Sequence, residues 1–481
     1  MIKAVQWKKP VELLSRDDLE KVHAASLKIL EKTGIIMPVN KEREQLLREH
    51  GVKVDSNKSL CHIPPEVVED ALAKAPGSYK LCALNPAYDL TLDGERGYLS
   101  SDGSATGIID LETGELRKST KQDVGDVACI AEHLPQISFL WPSVSAQDCK
   151  AKIQPLHELQ ALLANSGKHI QAMTAVDPLN ARGTIEIAAH LVGGKEALRE
   201  RPIISNFQCS LSPLSYDRSN LEAALIFANA GVPVGFVTMQ IGSSTAPITL
   251  AGNLALGNAE VLAGITLIQL CFPGTPVFYG TCSTMMELKR GGITSGGPED
   301  FLIQAYASQL ARYYKIPSSI GTFCSSSKTN DWQAGMENSL SGVVSAFSKA
   351  DMMSGAGLIN AAKVFSIEQM LLDCETFDLI CSLGQGAEIN DYTLALDVID
   401  KVGPQGHFMA EEHTYNNLSK VWMPSIANRE SYEDWEKSGR PSPKTIASEK
   451  AREILKNNKK EPDKADAEIS RIITSYEKEA Y

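Results

Sequence analysis

The residues best suited to chemistry in this chain form no familiar catalytic triplet. They gather in short segments rich in Gly, Ser and aromatic side chains, each following an apolar run. Pro276–Cys282 leads to a glycine loop holding Gly291, Gly292, Gly296 and Gly297. Ser318–Cys324 runs into Ser325–Lys328 and Asn330–Gln333, and Val237–Gln240 into Gly242–Thr249. Loops of this composition let a ligand or a partner approach the backbone closely. Tyr279, Phe323, Trp332 and Trp141 fall in or just after such runs. Their ring faces could hold a quaternary ammonium, which has no N–H to donate. Asp102, within Ser100–Ser104, and Glu337, beyond the Cys324 run, are the carboxylates placed to balance that charge. Taken singly, each aromatic is more often core and each carboxylate more often a cap. Their joint placement after successive runs is what points to a cation site.

Other chemistries are poorly provided for. No G-x-S-x-G elbow is present, and no histidine lies close in sequence to Ser325–Ser327. There is no G-x-x-x-x-G-K-[ST] loop, so no nucleotide is expected. Nine histidines include no His-Glu-x-x-His, and ten cysteines are scattered without a Cys-x-x-Cys. A tightly bound metal is therefore not expected, and the Glu411-Glu412-His413 cluster reads first as an ordinary loop.

These segments need a scaffold that presents strand ends side by side. Seven apolar or β-branched runs recur at Ile137–Ser143, Lys168–Thr174, Pro202–Cys209, Val232–Gln240, Pro276–Cys282, Ser318–Cys324 and Asp351–Gly357. Each is followed by a helix-length segment. An eighth strand is available at Tyr98–Ser104 or near Gly406–Met409. This pattern predicts an α/β fold, a closed (β/α)₈ TIM barrel over residues 96–426, and the lack of a G-x-G-x-x-G argues against the commonest open sheet. In such a barrel, function collects at the C-terminal strand ends. Residues 1–95 are expected to form a helical cap. Within it Ser15 and Asp18 make a capping box, and further helices follow Asn40 and Pro64-Pro65. Residues 427–481 are expected to form a polar C-terminal tail ending in a solvated Lys/Glu helix.

With 481 residues, 43% hydrophobic and 22% charged, the chain is a folded globular protein. Its 47 basic and 59 acidic side chains give a net charge of −12, which disfavours nucleic acid and anionic membranes and suits a cationic or zwitterionic ligand. No stretch reaches the ~20 uninterrupted apolar residues of a spanning helix. The N-terminus shows no apolar signal region, so a cytoplasmic location with reduced thiols is expected.

Across nearly its whole length the sequence resembles the trimethylamine–corrinoid methyltransferase family. The resemblance rests on Asp110–Asp123, Ala251–Leu254 with Ala259–Gly264, and Pro273–Pro276 into Tyr279-Gly280. It continues through Ser327-Lys328, Asp331–Glu337, Ser366–Gln369 and Gly406–Met409 with His413-Thr414. The resemblance implies a barrel that moves a methyl group from an amine to the cobalt of a corrinoid (cobalamin), carried by a cognate corrinoid protein or supplied free. Family members that use trimethylamine carry pyrrolysine at the barrel mouth, in or beside the positions of Cys324–Lys328. Only standard residues stand there in this chain, which points to the pyrrolysine-free branch and to quaternary amines such as glycine betaine, proline betaine or carnitine.

In that reading Tyr279, Phe323 and Trp332 face the ammonium and Asp102 or Glu337 balances its charge. Gln333, His413 and Arg312 are candidates to contact a substrate carboxylate, and Gly291–Gly297 would receive the corrinoid domain. No single catalytic residue is expected, because alignment would do the work. Alternatives are another methylamine donor, trimethylamine included, or a small-ligand-binding paralogue without activity. Association into a homo-oligomer is a further expectation.

Overall fold

Eight parallel strands close on one another around a single axis. The structure, a computed structural model, describes residues 1–7, 10–458 and 466–481. The barrel strands are β1 (Tyr98–Ser101), β2 (Ile137–Leu140), β3 (His169–Gln171), β4 (Ile204–Cys209), β5 (Val234–Thr238), β6 (Val277–Thr281), β7 (Ser318–Gly321) and β8 (Met352–Ala356), and β8 pairs with β1 to complete the closure. The helices that follow them are α1 (Lys121–Glu132), α2 (Gln154–Asn165), α3 (Pro178–Val192), α4 (Arg218–Asn229), α5 (Leu250–Cys271), α6 (Pro298–Tyr313), α7 (Trp332–Phe347) and α8 (Ile367–Gln385). All seven apolar runs are barrel strands. The eighth is Tyr98–Ser101, whereas Gly406–Met409 is irregular chain.

Alternation along each strand separates two apolar layers. Tyr98, Phe139, Trp141, Phe207, Val237, Phe278 and Met352 point into the barrel, and Leu99, Phe236, Tyr279 and Met353 point out against the helices. A hairpin of Tyr79–Leu81 and Leu90–Leu92 closes the N-terminal end, driving Leu81, Leu90 and Leu92 into the interior cluster. Room for that packing is fixed by Gly235, where a Cβ would lie 2.0 Å from the Phe278 ring.

Capping follows the sequence closely. Ser15 and Asp18 close a capping box on Arg16–Lys28, Asn40 caps Lys41–Glu49, and Pro65 opens Pro65–Lys74. Short strands at Ile35–Ile36, Lys53–Asp55 and Leu60–His62 lie between these helices, so the N-terminal part is not purely helical. This layer covers α5 and explains why α5 is apolar all round and almost wholly buried. Several polar groups of α5 are paired there: Asn258 donates to Ser26 and Tyr314, and Gln269 donates to the Thr275 carbonyl.

The C-terminal tail departs from expectation. Its helix Pro443–Asn457 packs on α8 and α1, burying Ala447, Ser448 and Ala451. Asp466–Ala480 packs on α3 and α2 through Ile469, Ile472 and Ile473. The isoleucines at i, i+3 and i+4 form an apolar stripe that the many charges in the tail obscure.

Candidate active site

The loops that leave the C-terminal ends of β1–β8 enclose a cavity of about 140 Å³. At ~30 Å³ per water, this is space for four or five waters or one compact head group. Asp102 enters from the end of β1, where Ser100 and Asp102 continue the inward phase of Tyr98. Trp141 directly follows β2, and Phe207 of β4 lies beside it with ring centroids 4.9 Å apart. Met173 and Met239 come from the loops after β3 and β5, and Cys282 and Cys324 from those after β6 and β7. The far wall is Asp300 and Gln304 on the first turns of α6, with the Ser341 hydroxyl of α7 donating to the side-chain Oε1 of Gln304 at 3.1 Å.

Two small sheets build the rim. Thr284–Glu287 pairs with Gly292–Ile293 in a hairpin, and Leu358–Ile359 pairs with Val364–Phe365. Asn360, Ala361 and Ala362 are successive left-handed residues, with φ of 54°, 52° and 64°, and Ala362 lines the cavity. Their turn is held because the Asn360 and Ala361 N–H groups donate to the carbonyls of Ser327 and Ser325. Non-glycine residues take this conformation only where the surroundings enforce it, most often at functional sites.

Electrostatically the cavity is acidic. Burial pushes the Asp102 carboxyl up to about 7, although the Gly103 N–H, 2.7 Å from Oδ1, pulls the other way. Burial also raises Asp300 to about 7, against the pull of the Gly297 N–H, and its Oδ1 is buried without a partner among the described residues. Burial holds the Cys282 thiol well above its ordinary value and raises Cys324 to about 12, so both are neutral thiols rather than nucleophiles. No Lys, Arg or His is among the described lining residues. The described residues also contain no group of three or more His, Cys, Asp or Glu that could hold a metal.

A pH dependence follows from these carboxyls. A carboxyl raised to about 7 is neutral below that value and attracts a cation only above it. Affinity for a cationic ligand is therefore expected to rise about tenfold per carboxylate between pH 6 and pH 8. Stability moves the other way: the stabilisation from protonated Asp102 and Asp300 is complete below about 4 and is lost as pH rises through about 7. Calorimetric titration and thermal melts across this range check both signs.

Several residues singled out from the sequence stand elsewhere. Tyr279 is outward on β6, buried against the helices with Tyr314 at 6.3 Å, because Phe278, Gly280 and Cys282 hold the inward phase. Phe323 also faces the helices; a Cβ at Gly342 of α7 would lie 2.5 Å from its ring. Trp332 opens α7 and is 78% exposed, pointing to solvent rather than into the cavity. Arg312 sits in the last turn of α6, at the opposite end of the barrel, donating to the Ser348 carbonyl. His413 belongs to the helix Glu412–Asn417 and lies beside Tyr392, outside the cavity lining.

Gln333 donates to Glu337 at 2.8 Å. Glu337 in turn accepts from the Ser325 hydroxyl and from the Ser326 N–H at 2.9 Å, so this carboxylate braces the loop after β7 rather than lining the cavity. Of the glycines, Gly296 lines the cavity with φ of 85°, Gly297 caps α6, and Gly291 and Gly292 form the exposed turn and second strand of the rim hairpin. Phe207, Met173, Met239, Asp300 and Gln304 line the cavity without having stood out in the sequence. Asp300 reads there as a helix cap, and Phe207 as one more apolar strand residue.

Trp141→Ala is therefore expected to raise KM for a cationic substrate by roughly tenfold, given ~1–2 kcal/mol for a desolvated cation–π contact. Trp332→Ala should leave KM within about twofold, since exposed positions away from a site carry little. Steady-state kinetics on the two variants separate an inner wall from an outer surface.

The family model described as "Trimethylamine methyltransferase (MTTB)" matches residues 2–479. The chain is 33% identical over 467 residues to a trimethylamine methyltransferase of Desulfitobacterium hafniense (strain DSM 10664 / DCB-2), covering 97% of this chain and 94% of the relative. It is also 33% identical over 428 residues to a glycine betaine methyltransferase of Desulfitobacterium hafniense (strain Y51), covering 88% of each. The crystal structure of the Methanosarcina barkeri monomethylamine methyltransferase superposes with a TM-score of 0.48 at 12% identity, covering 92% of this chain and 93% of that one. The chain belongs to the trimethylamine methyltransferase family, and its reaction class is methyl transfer.

Proposed function

We propose that this enzyme takes a methyl group from a quaternary ammonium seated in the cavity and passes it to a corrinoid carried by a partner protein. The observation that carries this reading is a pair of buried carboxylates, Asp102 and Asp300, facing an aromatic and thioether wall with no basic side chain among the described lining residues. Such a wall solvates a methylated cation through ring faces and soft sulfur, while the carboxylates supply the counter-charge.

A reduced corrinoid at the mouth supplies the nucleophile. The bonding pair stays on nitrogen and the amine leaves neutral, so no side chain has to donate a proton. Asp102, Trp141, Phe207 and Met173 then have one task, to hold the C–N bond along the barrel axis and keep water away. Alignment of that kind is worth up to about 7–11 kcal/mol of a barrier. The partner's ring has an apolar landing surface: Val176, Leu211, Met239, Ile248, Leu288 and Ile293, from loops after β3–β6, are 40–68% exposed on this face. That Cys324 lines the cavity, with standard residues through Lys328, supports the pyrrolysine-free branch.

Lacking a basic side chain, this lining favours a quaternary ammonium that bears no carboxylate. Glycine betaine, proline betaine and carnitine would have to direct their carboxylate out of the mouth, away from Asp102 and Asp300. Trimethylamine is the second reading, favoured by carboxyls that titrate near 7 and can hold the proton of a tertiary ammonium. Calorimetry at pH 8 with tetramethylammonium, choline, glycine betaine and trimethylamine tests the assignment. Saturable binding of a quaternary ammonium that disappears in Asp102→Asn is expected, and equal binding to both proteins would refute it.

A further inference from the structure

From the sulfur gathered in the cavity wall, we infer a second class of methyl donor at this site, a compact methylsulfonium. The inference rests on the reading that a methylated cation occupies the cavity, and extends it to a cation centred on sulfur. Four of the twenty described lining residues are Met or Cys, against 12 Met and 10 Cys in the 481-residue chain. They come from four separate loops: Met173 after β3, Met239 after β5, Cys282 after β6 and Cys324 after β7. A fifth sulfur, that of Cys209 at the end of β4, lies 3.6 Å from the Met239 sulfur.

Their placement matters more than their number. The Met173 sulfur lies 3.5 Å from where a Cβ on Gly103 would stand, beside the turn that carries the Asp102 carboxyl. Thioether and carboxyl therefore share one part of the wall. Cys282 sits over the end of β7, where a Cβ at Gly321 would lie 2.7 Å from its sulfur. Met173, Cys209 and Cys282 also pack against the interior cluster that holds Trp141 and Phe207.

In a quaternary ammonium four carbons surround the nitrogen, so a wall touches only those carbons. A sulfonium has three substituents. Its sulfur is open on one side, polarisable, and electron-poor opposite each S–C bond. Thioether sulfur and carboxylate oxygen can both contact that atom directly, while ring faces hold the methyl groups. The soft wall thus offers a sulfonium a contact that an ammonium cannot take up.

A sulfonium alkylates thiolates, so the state of the three cysteines decides whether the cavity survives its own substrate. Burial raises Cys209 and Cys324 to about 12 and holds Cys282 well above its ordinary value. All three stay neutral near pH 8 and leave the methyl group to the corrinoid. The step balances without acid or base. Cob(I) supplies the electron pair of the new cobalt–carbon bond, and the pair of the broken C–S bond returns to sulfur. A neutral thioether leaves. It gains no proton in water, so unlike a tertiary amine it does not return to the acidic cavity as a cation.

Paired measurements on the whole protein at pH 8 test the inference. Calorimetry should show saturable binding of tetramethylammonium and of trimethylsulfonium, the sulfonium at least as tightly. Met173→Leu conserves volume and removes the sulfur. It should turn selectivity toward tetramethylammonium by roughly two- to tenfold, the size of a lost sulfur contact. With free reduced cobalamin, trimethylsulfonium should give methylcobalamin and dimethyl sulfide faster than in a protein-free mixture. Binding of tetramethylammonium but not trimethylsulfonium would overturn the inference and leave the proposed function standing, whereas binding of neither would overturn both. Unchanged selectivity in Met173→Leu, or dimethyl sulfide released no faster than without protein, would also overturn the inference.

Discussion

Asp102→Asn is expected to lower kcat/KM for a quaternary ammonium by about 100-fold or more, mostly through KM. Removing one partner of a buried charge pair costs ~2–5 kcal/mol, and every 1.4 kcal/mol is tenfold. Asparagine keeps an oxygen to accept the Gly103 N–H, so the turn after β1 survives. Melting distinguishes lost binding from lost folding. The carboxyl of Asp102 is raised from 3.8 to about 7, so it costs the folded state increasing stability as pH rises from 4 to 7. The stability of Asp102→Asn relative to the wild type should therefore rise steadily from pH 4 to pH 7 and level off above that. Asp300→Asn should behave alike, with its amide oxygen still near the Gly297 N–H. A variant with full activity at pH 8 would remove the counter-ion from the account.

Gly355→Ala is the second large effect, and it acts through the backbone. Gly355 in β8 has φ of 124°, and a Cβ there would lie 1.7 Å from the Thr322 carbonyl oxygen. That neighbour is backbone held in the barrel, so it cannot swing away. Strain of ~1–3 kcal/mol and overpacking of similar size add to roughly 3–5 kcal/mol. Thr322 lines the cavity, and β7 leads directly to Cys324, so whatever folds should also bind substrate poorly. A reduced thermal midpoint together with raised KM is expected, and an unchanged melt would contradict it.

The scaffold was legible because its signal is long-range and redundant. Seven apolar runs separated by helix-length segments leave few arrangements open, and capping at Ser15, Asn40 and Pro65 marks helix starts chemically. Strand phase was not legible. A parallel barrel strand is buried on both faces, so Val277–Thr281 shows no polar alternation to tell Phe278 from Tyr279. A one-residue change of phase exchanges the substrate side for the helix side, and this is how Tyr279 and Phe323 came to be expected in the cavity.

Trp332 and Glu337 illustrate a different limit. Both sit on α7, yet one points to solvent and the other to the Ser325–Ser326 loop, a distinction set by how α7 lies on the barrel. Asp102 was recovered because it directly follows a strand just before a glycine, where the inward phase and the mouth coincide. Asp300 was hidden by its second role, since an acidic residue three positions past Gly297 reads as helix capping.

The most direct measurement is spectroscopic and anaerobic: cob(I)alamin is mixed with the protein and one candidate donor at pH 8, and loss of its absorbance with growth of methylcobalamin is followed. Tetramethylammonium, choline, glycine betaine, proline betaine, carnitine and trimethylamine are compared in turn. Methylcobalamin formed from a carboxylate-free quaternary ammonium, and not by Asp102→Asn, is the predicted result. No methylcobalamin from any donor, or equal formation by the Asp102→Asn protein, would contradict the proposed function.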